Sequence, residues 1–153
     1  MELIQGVMLK PLRVIPDQRG RLMEILRNDD EIFSGFGQVY LSTTLPDVVK
    51  GWHRHRKQTD HICCVSGMIR LVIHDERPDS ASRGLTNEFY MGVHRPVLIR
   101  VPPLLYHGWQ CVSLEEAYVI NTVTLPYDYE NPDEDRLEPH AGHFGFDWTR
   151  RDG

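Results

Sequence analysis

The sequence predicts an all-β fold, a sandwich or a jelly-roll barrel. Three observations carry that expectation. Roughly nine short runs rich in Val, Ile, Tyr, Thr and Cys recur about every 8–12 residues, the spacing of sandwich and barrel strands. Helical periodicity is nearly absent, and no strand–helix–strand alternation appears, which argues against a parallel α/β sheet. Apolar residues form 41% of the 153. At roughly 1.5–3 kcal/mol per fully buried large side chain, that suffices for a core.

The expected strands, in order, are Leu12–Ile15, Arg21–Leu26, Gln38–Thr43, His61–Val65, Met68–Ile73, Glu88–Gly92, Val97–Val101, Gly108–Val112 and Ala117–Thr124. Ser66-Gly67 reads as a two-residue hairpin link, and Pro78-Asp79-Ser80 as the turn closing another run. The one helical hint is Asn28–Phe33, where Asn28, Asp29 and Asp30 could cap a turn or two. From Tyr127 to His140 the chain is rich in Pro, Asp and Glu and should lie over the surface. Phe144, Phe146 and Trp148 then suggest an end that docks back. Residues 1–153 are expected to form a single domain, with 127–153 as a tail packed on the barrel.

No run approaches the roughly 18 apolar residues of a membrane span. Met1–Lys10 lacks the pattern of a signal peptide. Three cysteines, two of them adjacent (Cys63 and Cys64), cannot build a disulfide framework, so a reducing cytoplasm is expected. Cys63 and Cys64 read as small, inert core residues. The net charge of −5 argues against a nucleic-acid binder. That charge is uneven. Glu115–Gly153 holds 10 acids against 3 bases, whereas Lys50–His61 holds Lys50, Arg54, Arg56 and Lys57 against Asp60 alone. A local basic patch on an acidic protein suits a small anionic ligand.

The same segment carries His53, His55 and His61. If Trp52–His55 is extended, His53 and His55 share one face and Arg54 takes the other; Asp60, Ile62 and Cys64 share a face likewise. A barrel can return the distant His107 to this cluster. Two readings follow. His53 can be a general base in a barrel mouth, since an imidazole near its ordinary pKa of about 6.5 accepts a proton at neutral pH, with a tyrosine returning one from the other side. Alternatively, His53, His55, Asp60 and His107 can ligate a transition metal. His74, His94, His140 and His143 read as ordinary surface residues.

Several blocks in order resemble the dTDP-4-dehydrorhamnose 3,5-epimerase family, from about Leu9 to Trp148. They are Asp17-Gln18-Arg19-Gly20-Arg21-Leu22-Met23-Glu24, Gln38–Ser42, Lys50-Gly51-Trp52-His53, Ser66-Gly67 through Asp75, Arg100-Val101-Pro102 through His107-Gly108-Trp109, and Pro132–Arg136. The resemblance implies a cupin-type β-jelly roll with little helix, usually a homodimer with strands exchanged or packed between subunits. It implies no metal and no other cofactor. The substrate would be a dTDP-linked 4-keto-6-deoxyhexose, epimerised at C3, C5 or both by proton removal beside the 4-keto group, in deoxysugar and polysaccharide biosynthesis. No nucleic-acid or membrane partner is implied. A non-catalytic sugar-nucleotide-binding cupin is the remaining alternative.

By the same resemblance, His53 is the base, Tyr127 (with Tyr129 close by) the acid, and His107 a partner of the enolate oxygen. Arg19 and Lys50 match positions for the diphosphate, and Glu24 and Gln38 positions that contact nucleotide or sugar. His55, Asp60 and Trp109 fall in the binding pocket. The sequence also departs from the pattern. Lys50 replaces an arginine and keeps the charge without the bidentate fork. Asp60 stands where the family has a lysine. The family's aspartate partner of the catalytic histidine lies beyond the matched region of this chain, so Asp75 is expected to orient His53.

Overall fold

In the computed structural model, residues 2–150 are described. The outer ends of the expected 1–153 domain, Met1 and 151–153, lie outside the described residues. The strands are β1 (Met8–Pro11), β2 (Val14–Asp17), β3 (Gly20–Met23), β4 (Gln38–Thr44), β5 (Val49–Arg54), β6 (Asp60–Ser66), β7 (Met68–His74), β8 (Thr86–Gly92), β9 (Val97–Val101), β10 (Tyr106–Cys111), β11 (Ala117–Val123) and the short β12 (Asp135–Arg136). They build two five-stranded sheets, ordered β1-β9-β6-β11-β4 and β12-β5-β10-β7-β8, plus the separate β2-β3 hairpin. This is the expected jelly roll. All pairings are antiparallel. The only helical segment among the described residues is a 3-10 turn at His143–Gly145, and no helix there is long and apolar enough to cross a membrane.

The chain switches sheets at most connections between β4 and β11. Ser66-Gly67 therefore closes no hairpin, contrary to expectation: β6 pairs with β9 and β11, and β7 with β8 and β10. It is a corner between sheets. Gly67 holds φ +70°, and a Cβ there would sit 2.7 Å from Ser113 Oγ, so both conformation and space call for glycine.

Alternation places the core. Inward residues of both sheets, among them Ile62, Leu71, Phe89, Ile99, Trp109 and Val119, form the main buried cluster. Cys63 faces the other way and packs with Leu12, Ile32 and Leu98 under the N-terminal segment. Burial pushes the thiols of Cys63 and Cys64 up to about 11 and about 12. A third cluster joins Trp52 and Val72 to Trp148, with Phe144 and Phe146 packed against it. Trp52 meets Phe144, Phe146 and Trp148 at ring-centroid distances of 5.3, 5.6 and 4.9 Å. Arg70 also donates to the Trp148 carbonyl at 2.7 Å.

The helical hint at Asn28–Phe33 is corrected: the segment forms turns. Its would-be cap is used otherwise. The Asp30 carboxylate accepts from the Arg27 backbone N–H and from Lys10 Nζ on β1, while Ile32 is buried. Side-chain bonds of this kind compete with helix. The surface expectation for His74 is corrected as well. His74 is buried, bonded to Thr86 and Glu76 and stacked 4.2 Å from Phe144.

Candidate active site

The basic segment of the sequence becomes β5, and β5 and β10 form one wall of a cavity of about 920 Å³. Strict alternation would put Lys50 and His53 on opposite faces. In the register with β10, however, His107 lies opposite His53 and Trp109 opposite Lys50. β5 thus carries one extra residue, a bulge that turns both side chains into the cavity. The close approach needs two glycines. A Cβ on Gly108 would stand 2.7 Å from the Gly51 Cα and 2.8 Å from the Lys50 carbonyl.

Opposite β5 runs β12, from the acidic stretch Asp133-Glu134-Asp135. Its three carboxylates brace three different parts of the basic segment. Asp133 accepts the backbone N–H groups of Arg56, Lys57 and Gln58 at 2.9–3.0 Å. Asp135 accepts from Arg54 at 2.7 Å and from Arg56 at 2.6 Å. Glu134, on the other face, meets His53 Nδ1 at 2.7 Å. Its second oxygen accepts from Arg136 Nε at 2.8 Å. The hydrogen bond with His53, then Arg136, holds the Glu134 carboxyl down to about 2. Glu134 is therefore an acceptor at neutral pH. Nδ1 of His53 then carries the proton of that bond, and Nε2 is the ring nitrogen that Glu134 leaves untied.

His55 and His107 also reach the cavity. Each commits Nδ1 to a backbone carbonyl: His55 donates to Asp133 O at 2.6 Å, and His107 to Leu105 O at 3.1 Å. Burial pushes His107 down to about 4, so it is neutral. Asp60 is buried directly behind them, its Oδ2 3.5 Å from both His55 Nε2 and His107 Nε2. Asp60 Oδ1 accepts from Gln58 at 3.0 Å and Asn121 at 2.8 Å.

Most of the expected site residues converge here. His53, His55, His107, Gln38, Lys50, Trp109, Tyr127 and Tyr129 line the cavity. Lys50 donates to Ser42 Oγ at 2.9 Å and to the Thr43 carbonyl. Gln38 accepts the Tyr127 N–H at 2.8 Å. Three expectations are corrected. Asp75 does not orient His53: it is buried elsewhere, holding Arg77, Ser80 and Ser82, and Glu134 takes the role. His107 is no donor to an oxyanion, because its one N–H is spent on Leu105. Asp60 forms no part of the cavity lining. Within one chain, Arg19 and Glu24 also stay away from the cavity. Arg19 is exposed and bonded to Asp17, and Glu24 lies against Arg27. Sequence reasoning missed Glu134, Tyr40 and Asn121. Tyr40 lines the cavity, accepts from Asn121 Nδ2 at 2.8 Å, and is pushed up to about 12 chiefly by burial. The alternation of three acids opposite a basic run was the available signal for Glu134.

A family model described as dTDP-4-dehydrorhamnose 3,5-epimerase matches residues 2–152. The chain belongs to this family. It is accordingly an isomerase, an epimerase of dTDP-sugars. Two family relatives are similar over nearly their whole lengths. The probable low-salt glycan biosynthesis epimerase Agl13 of Haloferax volcanii is 39% identical over 148 residues, 95% of each chain. The spore coat polysaccharide biosynthesis protein SpsL of Bacillus subtilis is 34% identical over 147 residues, 96% of this chain and 97% of its own. Among solved structures, a dTDP sugar isomerase from Desulfovibrio desulfuricans superposes with a TM-score of 0.91 at 31% identity, covering 97% of this chain and 94% of the other.

Proposed function

We propose that the cavity epimerises a dTDP-linked 4-keto-6-deoxyhexose at C3, C5 or both, with His53 as the base. The observation that carries this reading is the His53–Glu134 pair at the cavity wall, with one imidazole nitrogen tied to a carboxylate and the other left untied by it. The 4-keto group makes the neighbouring C–H acidic. His53 Nε2 takes that proton, and the Glu134 carboxylate offsets the charge of the imidazolium that forms. The electron pair moves into an enolate whose oxygen needs a donor. Tyr40 suits that role. Asn121 already occupies its oxygen as a donor, which leaves the phenol's own proton for the cavity. Tyr127 returns a proton to the opposite face of the carbon. It is held at the rim by Gln38, whereas Tyr129 is 86% exposed. Lys50, Arg56, Lys57 and Arg136 around the cavity suit the diphosphate.

A homodimer completes the reading. Val39, Leu41 and Tyr118 lie exposed on the outer face of β4 and β11, and Ile15 and Leu22 are exposed on the β2-β3 hairpin. A second copy covering these residues would remove apolar surface from water. It would also give Arg19 and Glu24 a cavity to serve.

The test is incubation with dTDP-4-keto-6-deoxyglucose in D₂O. Deuterium should enter at C3 or C5, and His53→Ala should abolish exchange without loss of fold. Folded wild-type protein that binds the nucleotide sugar yet exchanges neither hydrogen would mark a binding module and end the catalytic reading.

A further inference from the structure

The geometry points to a divalent transition-metal site behind the cavity wall, held by His55 Nε2, His107 Nε2 and Asp60 Oδ2. These three atoms lie within 4.8 Å of one another. The hydrogen bonds around these atoms leave all three without a donor of their own. His107 donates through Nδ1 to a carbonyl, so its Nε2 presents a lone pair. His55 donates through Nδ1 to Asp133 O, so its Nε2 is the ring nitrogen turned to Asp60. Asp60 Oδ2 is a carboxylate oxygen, and both donors to this carboxylate, Gln58 and Asn121, are on Oδ1. Three acceptor atoms thus face one another in a buried place, where a shared cation relieves their repulsion.

The dimensions suit a metal ion. Donors about 2.1 Å from a tetrahedral ion stand about 3.4 Å apart. The two histidine-to-Asp60 separations are both 3.5 Å. Each ligand is also oriented from outside: the imidazoles by carbonyls on Nδ1, the carboxylate by two amides. That outer layer is what fixes the tautomer and aim of metal ligands. Two imidazoles and one carboxylate select a first-row ion such as Zn²⁺, Co²⁺, Ni²⁺ or Fe²⁺ over Mg²⁺ or Ca²⁺. His53 stands outside the set, since only His55, Asp60 and His107 bring their ligand atoms within 4.8 Å of one another. Three of the four ligands considered from the sequence thus come together, and the fourth is left free as the base. The inference rests on ligand geometry and not on the epimerase reading.

The test titrates metal-stripped wild-type protein with Co²⁺ and then Zn²⁺. One Co²⁺ per chain should bind with a visible ligand-field spectrum that Zn²⁺ displaces. Asp60→Asn and His55→Gln should each lose the ion while circular dichroism stays that of wild type. If the buried Asp60→Asn does not fold, His55→Gln at the cavity wall still decides. Gln58→Ala, which loosens the carboxylate, should weaken affinity about 10–100-fold. His53→Asn should bind as wild type does. Folded wild-type protein that takes up no ion at stoichiometric Co²⁺ overturns the site. Undiminished binding by folded His55→Gln also overturns it and assigns the ion to surface histidines. No readout uses turnover, so loss of the epimerase reading and loss of this one are separate results.

Discussion

Replacing Glu134 by Gln tests how much of the catalysis depends on the carboxylate behind His53. The substitution keeps the shape and one oxygen to accept the Nδ1–H, now at 2.7 Å from Glu134 Oε1. It removes the negative charge that faces the imidazolium formed during proton removal. It also leaves Arg136 without the partner it has at 2.7–2.8 Å. A hydrogen bond to a charged group contributes about 1.5–3 kcal/mol. At 1.36 kcal/mol per tenfold in rate, kcat should fall by roughly 10–150-fold. Glu134 contacts the imidazole away from its open nitrogen, so KM should change little. The assay is the rate of solvent deuterium entry into the dTDP-4-keto sugar under saturating substrate, with His53→Ala as the floor. Folding is checked by circular dichroism. Exchange by Glu134→Gln within about twofold of wild type would refute the view that the carboxylate supports the base.

Three further outcomes follow from the packing. Asp75→Asn should cost roughly 2–4 kcal/mol of stability, because a buried carboxylate with Arg77, Ser80 and Ser82 around it loses its charge, and it should leave kcat unchanged. Those partners hold the Asp75 carboxyl well below its ordinary 3.8. Its contribution is therefore complete above about pH 4 and is lost as pH falls through the lower folded value, so acid unfolding curves of wild type and Asp75→Asn should converge in strong acid. Gly108→Ala should destabilise by about 1–3 kcal/mol in chemical denaturation and reduce exchange, since the new Cβ meets backbone atoms of β5 at under 3 Å. Leu41→Glu should leave a monomer by size-exclusion chromatography with light scattering; a wild type that is already monomeric would remove the proposed interface.

Much of the fold was legible because strand alternation is local. The runs from Gln38, Met68, Val97 and Ala117 all appear as strands within a residue or two of their expected bounds. The strands that were overlooked, β1, β5 and β12, lack that signature. β1 is a sheet edge that ends in Pro11, a residue suited to an edge. β5 is written in Lys, Gly, His and Arg. β12 is two charged residues long and exists only because β5 offers it a partner. Ser66-Gly67 has the chemistry of a tight turn, and the sequence holds no local record of which sheet the next strand will join.

For the site, the amino-acid sequence alone determined the ingredients: a histidine- and cation-rich stretch, a second histidine before a glycine, an acidic stretch near the end, and the all-strand frame to bring them together. Only the tertiary structure decided which acid meets which base. Asp75 and Glu134 are equally plausible carboxylates on paper, 22 and 81 positions from His53 along the chain. A bulge in β5 and the pairing of β12 choose Glu134. The tautomers of His55 and His107 were likewise beyond the sequence, because they follow from backbone carbonyls that only folding brings within reach. Residue type sets what chemistry a side chain can do, and its effect falls off over a few ångströms. The neighbours inside that range are assembled from distant parts of the chain.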